Sequence, residues 1–318
     1  MNFEDYKESN EPAAGEELSG YPVGVYYIDT DRMYMHKVLP HSHPELELLF
    51  IREGSARVFI SGESFILSSG DGLFINSERI HSIESSTVTD SCVMLSVLFD
   101  TSYLFEDENS FLSVKYMKPL KDDPALPFIR LNSGEENGIR ILSYLKELLD
   151  ENLGRAYGYE LKTKSLLCEL WMLLLSLKAG IPSDPLKASS LLTDEKRSID
   201  MMSFMKKNLR KKLTLEDIAA SVNVSRSECC RCFKRCTSIS PFDYLQDIRI
   251  HEAASRLQKS KTALSMQKLS AQTGFASPSY FNRIFKSRTA LTPLEYRQLI
   301  KKSHRDALNP YGIPLNRL

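Results

Sequence analysis

The chain reads as an α+β multidomain protein: an N-terminal β-barrel followed by a helical hairpin, then a C-terminal all-α domain carrying two helix-turn-helix units. Three observations predict this. Short β-rich runs punctuated by Gly, Ser, Asn and Asp fill the first third. Leucines then recur at helical intervals. Finally, one pattern of caps, small residues and turn residues occurs twice near the C-terminus.

Residues 1–20 are polar and acidic, lack the apolar block of a signal peptide, and read as a flexible tail. The barrel is expected over 21–134, with strands near 47–51, 56–60, 64–67, 72–75 and 92–99. Over 135–182, Ile139, Leu142, Leu145 and Leu149, then Leu166, Leu167, Leu170, Leu173, Leu174 and Leu177, mark two amphipathic helices forming an antiparallel hairpin. The run Leu170 to Leu175 is apolar nearly all round and asks for burial on more than one side. A second subunit or the chain's own barrel would satisfy it. Pro182, Pro185 and several serines suggest a linker at 183–193. The all-α domain is expected over 194–305, with a tail over 306–318.

No run of eighteen apolar residues occurs, so a membrane span is not expected and the chain reads as cytoplasmic. Five of the six cysteines fall in helical patterns, which does not suit a disulfide scaffold. The net charge of zero divides unevenly: residues 1–193 carry 17 basic and 30 acidic groups, residues 194–318 carry 24 and 11. Halves of −13 and +13 point to a polyanionic partner for the C-terminal part.

In LTLEDIAASVNVSRSECCRCFKR (213–235), Thr214 with Asp217 and Ser225 with Glu228 cap two helices. Ala219 supplies a small crossing residue, and Asn223 tolerates a left-handed turn. The pattern recurs from Leu264 in LSMQKLSAQTGFASPSYFNRIFK, with Ser270 and Gly274 in the equivalent places and Ser277-Pro278 opening the second helix. Ser240-Pro241 and Thr292-Pro293 then start further helices. A recognition helix lying in a major groove would turn one stripe toward the bases. That stripe is Ser227, Cys230 and Arg231 in the first unit, and Ser279, Asn282 and Arg283 in the second. Arginine pairs with guanine and asparagine with adenine. Arg226, Lys234, Lys286 and Arg288 are the expected phosphate contacts on double-stranded DNA. A helix from Pro241 to Leu257 would hold the two readers about one DNA turn, roughly 34 Å, apart. Cys229, Cys232 and Cys236 share a face with Phe233 and read as small core residues rather than zinc ligands.

These residues carry a resemblance. RIHEAASRL (249–257), Gly274-Phe275, Ser279-Tyr280-Phe281, Arg283, Phe285-Lys286, Pro293 and Tyr296-Arg297 resemble the DNA-binding domain of AraC/XylS transcription regulators over about 200–300. Ser238 and Ala290 stand where that family usually has glycine, and Cys229 and Cys232 where it has larger apolar residues. The resemblance implies a transcriptional regulator that is not an enzyme, acts more as activator than repressor, and has RNA polymerase as a further partner.

The strings HSHPELELLFIREG and GDGLFINSERIH resemble the two motifs of cupin barrels. In metal-binding cupins the positions matching His41, His43, Glu47 and His81 supply the ligands, so a divalent metal stays open although no cofactor is required. In regulators such a barrel binds a small organic effector. His41, His43, Glu47, Arg57 and His81 are its candidate polar contacts, with Tyr26 and Phe74 as walls, and a sugar or sugar derivative is the class the analogy suggests. A homodimer through 135–182 is expected. Two other readings compete: a metal-dependent cupin enzyme with an appended DNA-binding domain, and an architectural DNA-binding protein with no effector.

Overall fold

The computed structural model describes residues 21–30, 33, 35–86, 92–105, 107–132, 134–181, 185–259 and 265–303. The expected tails at 1–20 and 306–318 lie outside these residues, as does Leu264. Two compact units divide the chain; the later one begins at Asp194 and also takes in the segment ending at His41.

Among the described residues, nine strands, β1 (Val23–Asp29), β2 (Lys37–His41), β3 (Leu46–Glu53), β4 (Ser55–Ile60), β5 (Glu63–Ser68), β6 (Gly72–Ile75), β7 (His81–Ser85), β8 (Val93–Phe99) and β9 (Phe128–Leu131), form two sheets. The five-stranded sheet runs β1-β8-β3-β6-β9 and the four-stranded one β2-β7-β4-β5. Ser61 and Gly62, both with positive φ, make the two-residue turn between β4 and β5, as hairpin twist demands.

Alternation along the five-stranded sheet sorts its side chains. Leu46, Leu48, Phe50, Phe74, Leu95, Val97 and Phe99 join one apolar cluster with helices α1 (Glu136–Gly154) and α2 (Tyr159–Lys178). Glu47, Leu49 and Ile51 alternate with them on β3 and point the other way, yet are equally buried. This is why β3 and β8 read as continuous apolar runs.

The hairpin's apolar stripe is Ile141, Leu142, Leu145, Leu148 and Leu149 on α1, with Leu166, Leu167, Leu170, Trp171, Leu173 and Leu174 on α2. The leucine-rich run therefore packs on its own barrel. Ile139, expected in the stripe, is 54% exposed, because helical phase carries it past the edge of the buried face. Helix α1 comes close to β6: a Cβ on Gly72 would sit 2.8 Å from Leu142 Cδ2.

The expected linker needs correction. Residues 185–193 are the opening turns of α3 (Pro185–Lys207). A proline at the first helical position forfeits no hydrogen bond, and no breaker follows it before Asp194.

The second unit repeats itself. Helices α4 (Leu215–Ala220) and α5 (Arg226–Thr237) form one pair, α7 (Met266–Gln272) and α8 (Pro278–Thr289) the other, with α6 (Pro241–Lys259) between and α9 (Pro293–Ser303) after. Thr214 and Asp217 close a capping box; Ser225, Ser265 and Ser277 each accept from the backbone three residues on. In the turns, Asn223 (φ 54°) and Gly274 (φ 81°) are left-handed. Val224 N–H donates to Ala219 O and Phe275 N–H to Ser270 O, each at 3.1 Å. Both recognition helices exit through a left-handed residue, Ser238 (φ 64°) and Ala290 (φ 60°). The preceding threonines, Thr237 and Thr289, donate back to the carbonyls of Phe233 and Phe285.

Arg249 clamps this unit. Its guanidinium donates to Leu209 O at 3.0 Å and Lys211 O at 2.7 Å. A Cβ at residue 274 would fall 2.2 Å from Leu209 O and 2.9 Å from Arg249 Nε, so glycine is needed there for space as well as for φ. Gly274→Ala should therefore lower the unfolding free energy by more than about 1 kcal/mol, the cost of the left-handed backbone alone. Ala290→Gly should raise it by about 1 kcal/mol by relieving a left-handed alanine. Urea unfolding midpoints of the two variants against the parent measure both.

Candidate nucleic-acid interface and barrel site

The caps and turns just described place two amphipathic helices on the second unit. On α5 the buried residues are Cys229, Cys232, Phe233, Cys236 and Thr237. Ser227, Arg231 and Lys234 are exposed on the other side and Cys230 is half-buried between them. On α8, Phe281, Phe285 and Thr289 are buried while Ser279, Asn282, Arg283 and Lys286 are exposed. Phe281 stacks against both Phe275 and Phe285, and Phe285 against Tyr296, with centroids 5.2 to 5.6 Å apart. One stripe of each helix thus anchors it, leaving the polar stripe for solvent or a partner.

The exposed cations are held by local partners. Arg226 pairs with Glu216 at 2.8 Å, Arg231 with Glu228, and Arg283 lies over the Tyr280 ring at 5.2 Å. These are surface pairs, worth little individually and easily exchanged for a phosphate or a base edge. Arg288 differs. Its guanidinium lies 3.0 Å from Asp243 and 2.8 Å from the buried Asp247, both on α6. The expected phosphate role for Arg288 is thereby corrected: the side chain ties α8 to α6, and removing it would take from the buried Asp247 one of two cationic partners, the other being Lys37 at 2.7 Å.

The cysteine face is packed into the core: Cys229, Cys232 and Cys236 are free thiols and buried. Burial pushes the thiols of Cys229 and Cys236 up to about 12, and that of Cys232 upward as well, so thiolate chemistry and metal ligation are disfavoured. Cys229 Sγ packs 3.7 Å from Met201 Sδ.

In the barrel, Glu47 occupies the inward phase of β3. Its Oε2 lies 3.4 Å from His43 Nε2 and 3.2 Å from His81 Nε2. Ser96 Oγ, from β8, donates to its Oε1 at 2.6 Å. The two imidazoles stand edge to face, centroids 5.2 Å apart at 87°. Burial by itself would raise the Glu47 carboxyl, but the facing imidazoles outweigh it and hold the group well below the usual carboxylate range. Tyr26 is buried on β1 opposite Ser96; burial, with Glu45 and Glu47 nearby, pushes its phenol up to about 12. His41 is buried at the end of β2.

Two expected effector contacts lie elsewhere. Arg57 alternates with the buried Ala56 and Val58, is exposed, and faces Glu84 at 3.8 Å on the neighbouring strand. Phe74 pairs in register with Leu48 and belongs to the cluster under the helices, on the opposite face of the sheet from Glu47. A one-residue phase decides each case.

Residues 23–193 match the AraC-like ligand binding domain, and residues 218–299 match a helix-turn-helix domain. The chain belongs to the AraC-type transcriptional regulators. Among the relatives of this AraC-type regulator, HTH-type transcriptional regulator YdeC of Bacillus subtilis (strain 168) is 28% identical over 87% of this chain and 92% of its own. The HTH-type transcriptional activator RhaS of Mannheimia succiniciproducens is 24% identical over 81% and 88%. A solved structure of ToxT from Vibrio cholerae with bound unsaturated fatty acid covers 89% of this chain and 97% of its own at 16% identity, with a TM-score of 0.47. Among the described residues, no helix of the regulator is long and apolar enough to cross a membrane.

Sequence reasoning missed Ser96. Its signal is a lone hydroxyl in the otherwise apolar strand VMLSVLF, since a buried polar group asks for a partner. Ser96→Ala should cost about 1–3 kcal/mol by stripping a buried carboxylate oxygen of its donor. Arg57→Ala, on the surface, should stay within about 0.5 kcal/mol of the parent. Denaturant titration of the pair measures the contrast.

Proposed function

We propose that this regulator reads operator DNA with α5 and α8, and that a small molecule held inside the barrel sets that activity. The observation that carries the reading is the duplication: two helices with the same cap, the same left-handed exit and the same division into a buried face and an exposed cationic one. Arg231 and Arg283 read guanine and Asn282 adenine, with Ser227, Cys230 and Ser279 completing the stripes. Arg226, Lys234 and Lys286 neutralise phosphates. We read the chain as a cytoplasmic activator that contacts RNA polymerase. Its exposed Leu153, Leu161 and Met172 on the helical hairpin support a homodimer through 135–182.

The effector's polar groups meet His41, His43, Glu47 and His81, with Tyr26 presenting a neutral phenol; a sugar or sugar derivative is the class favoured by analogy. The boundaries at 21–134, 135–182 and 194–305 follow the same reading, with α3 rather than a loop running across the last of them. Regulation is preferred to enzymatic turnover because YdeC and RhaS align with this chain over more than four-fifths of both partners.

Selection of bound sites from a random DNA library, followed by affinity measurements over a range of salt, tests the DNA role. The affinity should fall steeply and linearly on a logarithmic salt scale. Arg283→Ala should cost about 1–3 kcal/mol on the selected site and relax its preference, whereas Lys286→Ala should weaken all sites alike and lower the salt slope by about one. An Arg283→Ala protein that selects the same sites with the same affinity would remove that residue from base reading.

A further inference from the structure

Helix α6 carries both recognition helices, but holds them by different means. Toward α5 the tie is aromatic: the rings of Phe233 and the fully buried Tyr244 meet with centroids 5.5 Å apart. Toward the second helix pair the ties are polar. Gln246 Nε2 donates to the Tyr280 hydroxyl on α8 at 3.1 Å, Arg256 to Gln272 on α7 at 3.1 Å, and Gln258 to the Tyr296 hydroxyl on α9 at 2.9 Å.

Arg288 is the tie with two anchors. Its Nη2 donates to Asp243 Oδ1 at 3.0 Å, and its Nε forms an ion pair with Asp247 Oδ1 at 2.8 Å. The two aspartates stand one turn apart, about 6 Å along the axis of α6. A planar guanidinium held by both cannot slide along that axis without releasing one of them. Apolar contacts have no such preferred direction. The placement of α8 on α6 is therefore fixed by a charge clamp, whereas α5 is held by packing.

We propose that Arg288, gripped by Asp243 and Asp247, is a positioning residue that fixes the spacing between the two DNA half-sites this regulator accepts. The proposal rests on the reading of α5 and α8 as DNA readers. One inserted base pair displaces a half-site by about 3.4 Å and turns it by about 34° around the duplex. Because α6 joins the two readers, part of any change in their separation must be taken up along it. A shift of that size is more than half the separation of the aspartates, so α8 cannot follow it with both anchors intact. Arg288 thus acts through the placement of Asn282 and Arg283 and touches no DNA itself. Its removal leaves Asp247 paired with Lys37 Nζ at 2.7 Å, so the buried carboxylate keeps a cation and the fold is retained.

Selection from a random library with the full chain defines the two-part site. Affinities are then measured for that duplex and for duplexes with one base pair added or removed between the half-sites. The parent should prefer the selected spacing by about tenfold or more, the scale of one or two lost base contacts. In Arg288→Met the preference should fall to about threefold or less, while the bases selected within each half-site and the salt slope stay as in the parent. Arg288→Lys, which keeps the charge without the fork, should fall between the two. If Arg288→Met fails to fold, Asp243→Ala, which removes the more exposed anchor, should still weaken the spacing preference. A salt slope that drops in Arg288→Met overturns the proposal by making that residue a phosphate contact. A parent that selects no two-part site overturns the DNA reading as well. Strict spacing in the parent that persists in Arg288→Met and Asp243→Ala overturns the clamp alone.

Discussion

A strand with no solvent face must satisfy two apolar environments at once, and β3 is such a strand. From Leu46 to Ile51 every residue is buried, half against the hairpin helices and half toward the interior of the barrel. Reversing its phase by one residue would drive Glu47 under α1 and α2 and send Leu48 inward. The register of β3 with β6 and β8 is therefore what places a carboxylate inside the barrel and Phe74 outside it. The interior cluster of His43, Glu47, Ser96 and His81 follows from that single choice.

The second unit rests on a backbone constraint of another kind. Each helix pair turns through one left-handed residue, and the next backbone N–H returns to the carbonyl of the small crossing residue. Because Ala219 and Ser270 are small and buried, the helices approach closely enough for a single aromatic stripe to anchor each recognition helix. What projects outward is then the cationic and amide stripe. Arg288 shows that a cation on such a helix need not face outward: its position near the end of α8 brings it to Asp243 and Asp247, where it braces the repeat against α6.

Both units separate scaffold from chemistry. In the barrel, apolar strands hold a few convergent polar groups away from water, where their interactions are strengthened by the low dielectric. On the helices, apolar faces hold polar groups toward water, where salt and nucleic acid compete for them. A regulator needs both arrangements, one to retain a ligand and one to exchange partners quickly.

Much of this was legible in the residues alone. Caps at Thr214, Ser225 and Ser277, left-handed turns at Asn223 and Gly274, and the buried phase of Phe233 and Phe285 are local: each depends on neighbours within a turn or two, so spacing suffices to read them. His41, His43, Glu47 and His81 were likewise visible as a pattern. Three things were decided only by the tertiary structure. Arg57 and Phe74 were assigned to the barrel interior, but strand phase depends on which sheet face the helices cover. The opening of α3 looked like a linker because proline and serine suit both a loop and a helix start. Ser96 and Asp247 acquire their meaning from partners 49 and 41 residues away, Glu47 and Arg288. Short-range hydrogen bonds and periodicity are written along the chain, whereas the facing of strands and the pairing of distant charges exist only once the layers have packed.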